Sequence, residues 1–302
     1  MVSVIIPNYC NPEKLENCIR SIENSSYSLK EIIVVDDPCI GVHASSLLHL
    51  GMINVVQNKV EYFVAGCRNI GYYESRGEFL FFLDSDNIIE ENAISKMIQI
   101  MKQYPSIGIL APVAFYFSDK GKLWKAGDYK SKVFRINKNY KVSNLEPGLF
   151  YIENMANSFV VRRAALEITG PFDNVNFPRD ESEPDMYIRM RVKGFETLLL
   201  NTAITYHDIG MEKLTHLDAN RIQESFKSRI WIDRKHKFKG LNLVGVTLIV
   251  TSAYYCLLIL IKKDLNRFFV KFLKSMLVGL FMGFYGKPHN TPQLSNAKNS
   301  QG

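Results

Sequence analysis

The feature that most constrains this fold is the stretch Phe-Leu-Phe-Phe-Leu-Asp-Ser-Asp at residues 79–86. Five large apolar residues in a row are too few for an ordinary helix, so they predict a strand buried on both faces of a sheet. Asp84 and Asp86 follow this strand directly, at the end where open parallel sheets bind their ligands. Hard oxygen ligands at one point suit Mg²⁺ or Mn²⁺, and such a cation suits a substrate diphosphate.

A purely structural role explains the same two carboxylates. Asp84 can open a turn, and Asp86 with Asn87 can cap a following helix, because aspartate and asparagine suit both positions. The triplet by itself therefore does not separate a metal site from a helix cap.

Strands and helices alternate along the first two thirds of the chain. The further predicted strands are 2–6, 31–35, 53–56, 107–113 and 196–206, and the predicted helices include 12–22, 45–50, 65–75, 90–104 and 185–193. This alternation predicts an α/β fold with a largely parallel sheet. Right-handed crossovers then bring Asp36 and Asp84 to the same edge of that sheet.

Other polar residues extend the candidate site. Arg68 and Asn69 suit a phosphate, although a solvated arginine is the simpler alternative. Four carboxylates lie close together in the loop before a helix: Asp180, Glu181, Glu183 and Asp185. They either interact favourably with the dipole at the amino end of that helix or bind a proton or cation. Repulsion among them predicts a raised pKa for the carboxylate that acts as a base. His207, after the last strand, is either structural or within reach of the metal.

Charge and cysteine content narrow the class of protein. The net charge is +7, and lysines and arginines cluster within residues 227–274 beside apolar stretches, which favours anionic lipid over nucleic acid. No nucleic-acid-binding motif is present. The five cysteines lack paired spacing, so neither a disulfide framework nor a zinc site is predicted. No signal peptide precedes the first strand, and we expect this part of the chain in the reducing cytosol.

The C-terminal part contains a candidate membrane segment. Residues 241–261 carry no charge and are long enough to span about 30 Å of hydrocarbon. A second apolar stretch, 268–285, contains Lys271 and Lys274 and is predicted to lie at the interface or to return as a re-entrant segment. The alternative is a pair of helices packed on the enzyme or on a partner subunit. The predicted domains are 1–225 (catalytic), 226–287 (membrane-associated helices) and 288–302 (a disordered tail).

Several of these segments occur in the same order in one known family. Residues 4–9, 31–37, 65–71 and 77–87, with the acidic loop before Tyr187, resemble glycosyltransferase family 2, and the resemblance covers residues 2 to about 210. It is strongest to the rhamnosyltransferase-like and galactofuranosyltransferase-like branch. The resemblance implies a GT-A fold, which is Rossmann-like with a mostly parallel central sheet. It also implies inverting sugar transfer from a UDP-, dTDP- or GDP-linked donor with Mn²⁺ or Mg²⁺.

The resemblance also implies roles for individual residues. Asp36 would contact the nucleobase, Asp84, Asp86 and His207 would hold the metal, and the donor-binding set would be Pro7, Asn8, Asp36, Asp37, Arg68, Asn69, Asp84, Ser85 and Asp86. The family's Glu-Asp-x-Asp appears here as Ser182-Glu183-Pro184-Asp185. Glu183 therefore takes the position of the catalytic base, with Asp180, Glu181 and Asp185 as alternatives. The Gly-Ser that usually follows the acidic pair in this family is absent after Asp36-Asp37. We therefore expect the donor nucleotide to bind in a different position from that in other family members.

These features together predict a membrane-associated glycosyltransferase with its catalytic domain on the cytoplasmic side. A glycan or polyprenyl-linked acceptor and membrane lipid are the expected partners, a homo-oligomer is compatible, and nucleic acid is not expected. One alternative is a sugar-phosphate nucleotidylyltransferase, but residues 7–11 lack the glycine-rich phosphate loop that it needs. The other alternative is a non-catalytic membrane scaffold with a nucleotide-sugar-binding fold.

Overall fold

The structure is a computed structural model and describes residues 1–28, 31–39, 53–130, 137–139, 146–209, 219–236 and 266–286. The chain divides into two compact units, residues 1–174 with 182–215 and residues 175–181 with 216–302. The predicted helix 45–50, the candidate membrane segment 241–261 and the predicted tail 288–302 lie outside the described residues. The domain boundary at residue 225 stays a prediction.

A ten-stranded sheet forms the centre of the first unit. The strands of this unit are β1 Val2–Asn8, β2 Glu31–Asp36, β3 Ile53–Gln57, β4 Phe79–Leu83, β5 Asn87–Ile89, β6 Ile107–Tyr116, β7 Leu123–Lys125, β8 Asp128–Lys130, β9 Asn137–Asn139, β10 Leu149–Tyr151, β11 Ser158–Arg162 and β12 Glu196–His207. Its helices are α1 Pro12–Glu23, α2 Phe63–Glu74, α3 Ala93–Gln103, α4 Arg163–Thr169 and α5 Ser182–Val192. The predicted alternation of strands and helices is confirmed.

The sheet has the order β10-β12-β6-β11-β4-β1-β2-β3, with β5 paired to β12 and β7 to β6. Strands β4, β1, β2 and β3 run parallel, as do β6 and β12. Strand β11 is inserted antiparallel between β4 and β6. The prediction of a mostly parallel sheet with β4 near its centre is confirmed, and β11 separates its two parallel parts.

The core lies on both faces of this sheet, which explains why β4 is apolar throughout. Phe79, Phe81 and Leu83 of β4 face the cluster that contains the buried sides of α1 and α3. Leu80 and Phe82 face the opposite cluster, where α2, α4 and α5 pack. Successive side chains of a strand point to opposite faces, so a strand covered on both sides needs apolar residues at every position.

Helix α2 approaches β1 unusually closely because Gly71 has no side chain. A Cβ atom at this position would collide with Cγ2 of Ile5 in β1. The glycine therefore allows the close contact between helix and sheet. The same helix carries Arg68 and Asn69, whose side chains are consequently buried beneath the edge of the sheet.

The segment after Asp86 differs from the helix cap that was one interpretation of the sequence. Residues Asn87–Ile89 form β5, which pairs antiparallel with the end of β12. Helix α3 begins later, at Ala93, with Asn92 at its N-cap position. The helix-cap interpretation of Asp86 and Asn87 is therefore wrong. The pairing of Asn87 with His207 instead brings two distant parts of the chain together.

A disulfide joins Cys10 and Cys39, with their Cα atoms 5.4 Å apart. The sequence prediction of no disulfide is wrong. The two cysteines are 29 positions apart, and each follows the end of a strand. Only the parallel pairing of β1 with β2 brings them together, so no spacing motif indicated the bond.

The second unit contains a close pair of helices, α6 Ala219–Lys235 and α7 Asn266–Tyr285. Gly283 of α7 packs against Ile230 of α6, and a Cβ there would lie 2.7 Å from Ile230 Cδ1. Arg234 Nη1 donates to the carbonyl oxygens at 283, 284 and 286 at 2.6–3.1 Å, and so satisfies the open end of α7. Among the helices that the structure describes, none is both long and apolar enough to cross a membrane.

Candidate active site

The candidate site lies where several strands end at one edge of the sheet. Asn8 ends β1, Asp36 ends β2, Asp84 and Asp86 follow β4, and His207 ends β12. Asn8 and Asp36 stand opposite each other in the parallel pairing of β1 with β2. The predicted convergence of the strand ends Asp36 and Asp84 therefore holds, because β1 pairs with both β2 and β4.

The two consecutive carboxylates after β2 have different contacts. Asp36 is buried and its Oδ1 accepts a hydrogen bond of 2.7 Å from Asn8 Nδ2. Asp37 accepts from the backbone N–H groups of Tyr62 and Phe63 at 2.8–3.1 Å. Asp37 thus caps the amino end of α2, which is a structural role. Of the two, Asp36 is the better candidate for contact with a nucleotide. Pro7 precedes Asn8, the hydrogen-bond partner of Asp36, in β1.

Arg68 is completely buried and links two carboxylates. Its Nη2 donates to Asp84 Oδ1 at 2.7 Å and its Nη1 donates to Glu183 Oε1 at 2.6 Å. The guanidinium lies 5.5 Å from the ring centres of both Phe159 and Phe172. The alternative of a solvated arginine is wrong, because Arg68 is buried and forms two ion pairs within the protein. The predicted contact with phosphate stays a prediction.

These ion pairs set the charges of the site. Burial raises the pKa of Asp84 to about 6, against the attraction of Arg68, and Asp86 and Glu183 add to the rise. Burial also opposes the charged form of Glu183, but the charge and hydrogen bond of Arg68 lower its pKa below the usual value. The expectation that crowding raises the pKa of the candidate base is therefore wrong for Glu183. Its carboxylate is ionised at neutral pH.

The raised pKa of Asp84 makes stability depend on pH. The folded protein binds this proton more tightly than the unfolded chain, so the stabilisation is present at low pH and is lost as the pH rises through about 6. We expect the free energy of unfolding of the wild type, relative to Asp84→Asn, to fall by about 1 kcal/mol between pH 5 and pH 7. Urea unfolding in EDTA measures this difference. Asp119→Asn, on an exposed turn, is the control, and a difference for Asp84→Asn that does not vary with pH would contradict the assignment.

Asp86 and His207 form a second pair beside Asp84. His207 Nε2 lies 3.1 Å from Asp86 Oδ2 and 3.0 Å from Asn157 Nδ2. Asp86 Oδ1 accepts from Asn87 Nδ2 at 3.0 Å. The ring of His207 is packed edge-on against Trp124 at 4.2 Å. The pair is therefore fixed in place, with the carboxylate about one third exposed and the imidazole nearly buried.

The chemistry of this pair fits a divalent cation in part. One carboxylate and one imidazole nitrogen at 3.1 Å match the spacing of two neighbouring ligands of an octahedral ion, about 3 Å for bonds of about 2.1 Å. Oδ1 of Asp84 is engaged by Arg68, and the predicted role of Asp84 as a metal ligand stays a prediction. Within the described part of the chain, no three His, Cys, Asp or Glu side chains gather to hold a metal. Asp86 and His207 would hold such an ion together with a ligand's own oxygens.

Two other predicted site residues are engaged in structural contacts. Asn69 Nδ2 donates to the carbonyl of Phe172 and its Oδ1 accepts from the Phe172 backbone N–H, both at 2.9 Å. Asp185 is completely buried and pairs with Arg189 at 2.8 Å. Arg189 in turn donates to carbonyls at 169–171 beyond α4. Neither residue is presented to a ligand by these contacts.

The remaining predicted residues lie apart from these contacts. Ser85 is half-buried in the turn between Asp84 and Asp86. Asp180 and Glu181 belong to the second compact unit, where Glu181 lies 3.6 Å from Arg229. Glu183 is therefore the carboxylate of the acidic loop that the structure joins to Asp84 through Arg68.

Sequence reasoning missed two residues that support His207. Asn157 precedes β11 with a φ of 72°, and its backbone carbonyl accepts from Asp84 N–H at 2.8 Å. A left-handed residue that is not glycine is often asparagine, but nothing in the sequence connects Asn157 with a histidine fifty positions away. Trp124 belongs to a stretch with weak periodicity, so its contact with His207 had no sequence signal.

The fold and site together define a class of α/β protein with its polar site at the carboxyl ends of the strands, as in nucleotide-binding proteins. Sequence comparison matches residues 3–167 to the family described as Glycosyl transferase family 2. The chain belongs to this family, as the motifs predict. The resemblance stated from the sequence is thereby confirmed.

Two curated relatives illustrate the range of similar proteins. GgaA, a minor teichoic acid biosynthesis protein of Bacillus subtilis, is 26% identical over 268 residues, which cover 83% of this chain and 54% of GgaA. TarP of Staphylococcus aureus, a poly(ribitol-phosphate) beta-N-acetylglucosaminyltransferase, is 32% identical over 109 residues, 34% of this chain and 33% of TarP. The chain thus spans about a third to just over half of the length of the curated relatives it matches.

A solved structure shows the same architecture. GalNAc-T7, crystallised with UDP, GalNAc and Mn²⁺, superposes with a TM-score of 0.63 at 15% identity, over 78% of this chain and 47% of that chain. At this level of identity the likeness shows the fold alone. The fold is the α/β GT-A fold with a mostly parallel central sheet, as predicted.

Proposed function

We propose that the chain is an inverting glycosyltransferase that moves a sugar from a nucleotide-sugar donor to a hydroxyl group of an acceptor. One observation carries the proposal. In this chain of family 2, Arg68 forms ion pairs with both Asp84 and the ionised Glu183. Asp84 lies beside the Asp86–His207 pair. In this proposal, Glu183 is the candidate base and the Asp86–His207 pair is the candidate metal site, and Arg68 links Glu183 to Asp84. Family membership also argues against the nucleotidylyltransferase alternative.

In this proposal, Glu183 is the general base. Its lowered pKa keeps it ionised, so that it can take the proton of an acceptor hydroxyl as that oxygen attacks the anomeric carbon from the face opposite the diphosphate. Arg68 donates to Oε1, and Ser182 Oγ donates to Oε2 at 3.1 Å. Each carboxylate oxygen has a further acceptor site, so these contacts orient the group and still leave room for the hydroxyl proton.

Asp86 and His207 are proposed to bind Mn²⁺ or Mg²⁺, which would offset the charge that develops on the leaving diphosphate. The Mn²⁺ in the GalNAc-T7 structure supports a divalent metal. Asp36 and Asn8 are proposed to contact the nucleoside, because they are buried at the strand ends next to Asp84. Whether the donor is UDP-, dTDP- or GDP-linked is left to the donor assay. Whether the donor sugar is a hexose or rhamnose is left to the donor assay.

The acceptor is proposed to be a glycan or a polyprenyl-linked glycan of the cell envelope. The names of GgaA and TarP refer to teichoic acid and to poly(ribitol phosphate), which supports polysaccharide biosynthesis. We also propose that the chain associates with the cytoplasmic face of a membrane through its C-terminal part. The uncharged stretch 241–261 and the exposed apolar residues of α7 support this: Leu277, Phe281, Phe284 and Tyr285.

The proposal is tested by turnover of a panel of nucleotide sugars with Mn²⁺, Mg²⁺ or EDTA. We expect metal-dependent turnover of one donor, and we expect Glu183→Gln to lower kcat by about 10²–10⁴-fold because the base is lost. Donor affinity should change by less than about threefold, since Glu183 is not one of the proposed nucleoside contacts. Glu23→Gln, at an exposed residue at the end of α1, is the control for surface charge.

Two results would redirect the proposal. Full turnover by Glu183→Gln would move the base to another carboxylate of residues 180–185. The absence of nucleotide binding and of turnover with every donor and metal would favour the non-catalytic scaffold.

A further inference from the structure

A short basic hairpin lies beside the Asp86–His207 pair. It comprises the end of β6, the turn 117–122 and β7, and its backbone is tied by the bond from Tyr116 N–H to the Lys122 carbonyl at 3.0 Å. Phe117 N–H also donates to the His207 carbonyl at 3.0 Å. This hairpin, residues 116–125, is therefore fixed to the end of β12 at the candidate site.

Two exposed lysines of this hairpin rest on aromatic rings. Lys120 Nζ lies 5.6 Å from the ring centre of Phe117 and 5.1 Å from that of Tyr206, and Lys122 Nζ lies 5.2 Å from that of Tyr116. Neither ammonium forms an ion pair with a carboxylate among the described residues. An aromatic face attracts a cation without neutralising its charge. Both ammonium groups are therefore positioned and left open to an anion.

The order of the strands puts the hairpin on the side of the site away from the proposed nucleoside contacts. The nucleoside contacts proposed above lie on β1 and β2, whereas β6 and β12 lie on the other side of β4. Trp124 of the same hairpin packs 4.2 Å from the His207 ring. Lys120 and Lys122 therefore belong to a hairpin that is fixed to the end of β12, on the side of β4 away from the proposed nucleoside contacts.

We propose that Lys120 and Lys122 form a subsite for a phosphate group of the acceptor. The inference rests on the proposed function and specifies its substrate class: an acceptor that carries a phosphodiester or a diphosphate. Lysine binds phosphate as a point charge through its three donors. The phosphate can belong to a soluble polyol-phosphate polymer or to a polyprenyl diphosphate head group, which present the same chemistry.

Direct binding distinguishes these two sources. The wild type and the double variant Lys120→Gln/Lys122→Gln are titrated calorimetrically with poly(ribitol phosphate), with a short-chain polyprenyl diphosphate sugar and with the same sugar without phosphate. We expect one phosphate-bearing probe to bind the wild type, and the double variant to bind it at least tenfold more weakly. The loss should shrink at high salt, because exposed charges are screened. The control is Lys102→Gln/Lys193→Gln, which removes the same charge at the opposite end of the sheet.

The donor assay distinguishes a loss of acceptor binding from a loss of catalysis. Hydrolysis of the donor without acceptor should be the same in the double variant and the wild type within about twofold, because neither lysine contacts Glu183 or Asp86. Failure of the proposed function would appear as no donor turnover in the wild type. The subsite is overturned if the wild type binds no phosphate probe better than the neutral sugar, or if the double variant binds as the wild type does.

Discussion

Replacing Arg68 with methionine is expected to lower the free energy of unfolding by about 3–5 kcal/mol, because it leaves the nearly buried Glu183 and the partly buried Asp84 without their cation. Arg68 is completely buried and is paired with both Asp84 and Glu183. Methionine fills a similar volume between Phe159 and Phe172, so lost packing contributes little. Urea unfolding at pH 7 measures the effect.

The exposed pair of Arg20 with Glu16 provides the matched control. These side chains are 2.6 Å apart on the surface of α1, and Arg20→Met should cost less than about 1 kcal/mol. The double variant Arg68→Met/Glu183→Gln should recover part of the loss, since it removes one of the two unpaired charges. Equal losses for Arg68→Met and Arg20→Met would show that the buried ion pairs do not stabilise the fold.

Replacing Asp86 with asparagine is expected to abolish most activity while the protein stays folded. Asp86 is the charged ligand of the proposed metal pair, and removing the charge stabilisation of a leaving group costs about 10²–10³-fold in kcat. His207→Gln should show a loss in the same range, because the imidazole is the second ligand. Steady-state kinetics with saturating donor measure both variants.

Binding of Mn²⁺ gives a readout that does not depend on turnover. Electron paramagnetic resonance of Mn²⁺ titrated with protein and UDP should show tight binding by the wild type and at least tenfold weaker binding by Asp86→Asn. Glu23→Gln, at an exposed residue at the end of α1, should bind Mn²⁺ as the wild type does. Unchanged Mn²⁺ binding by Asp86→Asn would show that Asp86 and His207 do not bind the metal.

Much of the fold was predictable because the signals are local. An unbroken apolar run of five residues predicted β4, and strand ends predicted where polar residues converge. His207 was placed at the end of the last strand, which the structure extends from Glu196 to His207. The predicted roles of Asn69, Asp37 and Asp185 in the site stay predictions. Their contacts in the structure hold loops and helix ends, which no local pattern in the sequence indicated.

The sequence by itself determined the α/β alternation, the central strand and the family. Hydrophobic periodicity and short motifs are properties of neighbouring residues. Only the tertiary structure decided that Arg68 neutralises Glu183, 115 positions away, and that His207 meets Asp86, 121 positions away. It also decided the disulfide, the raised pKa of Asp84 and the lowered pKa of Glu183. Burial and partner charges set these properties, and both depend on chain segments that meet only when the sheet is assembled.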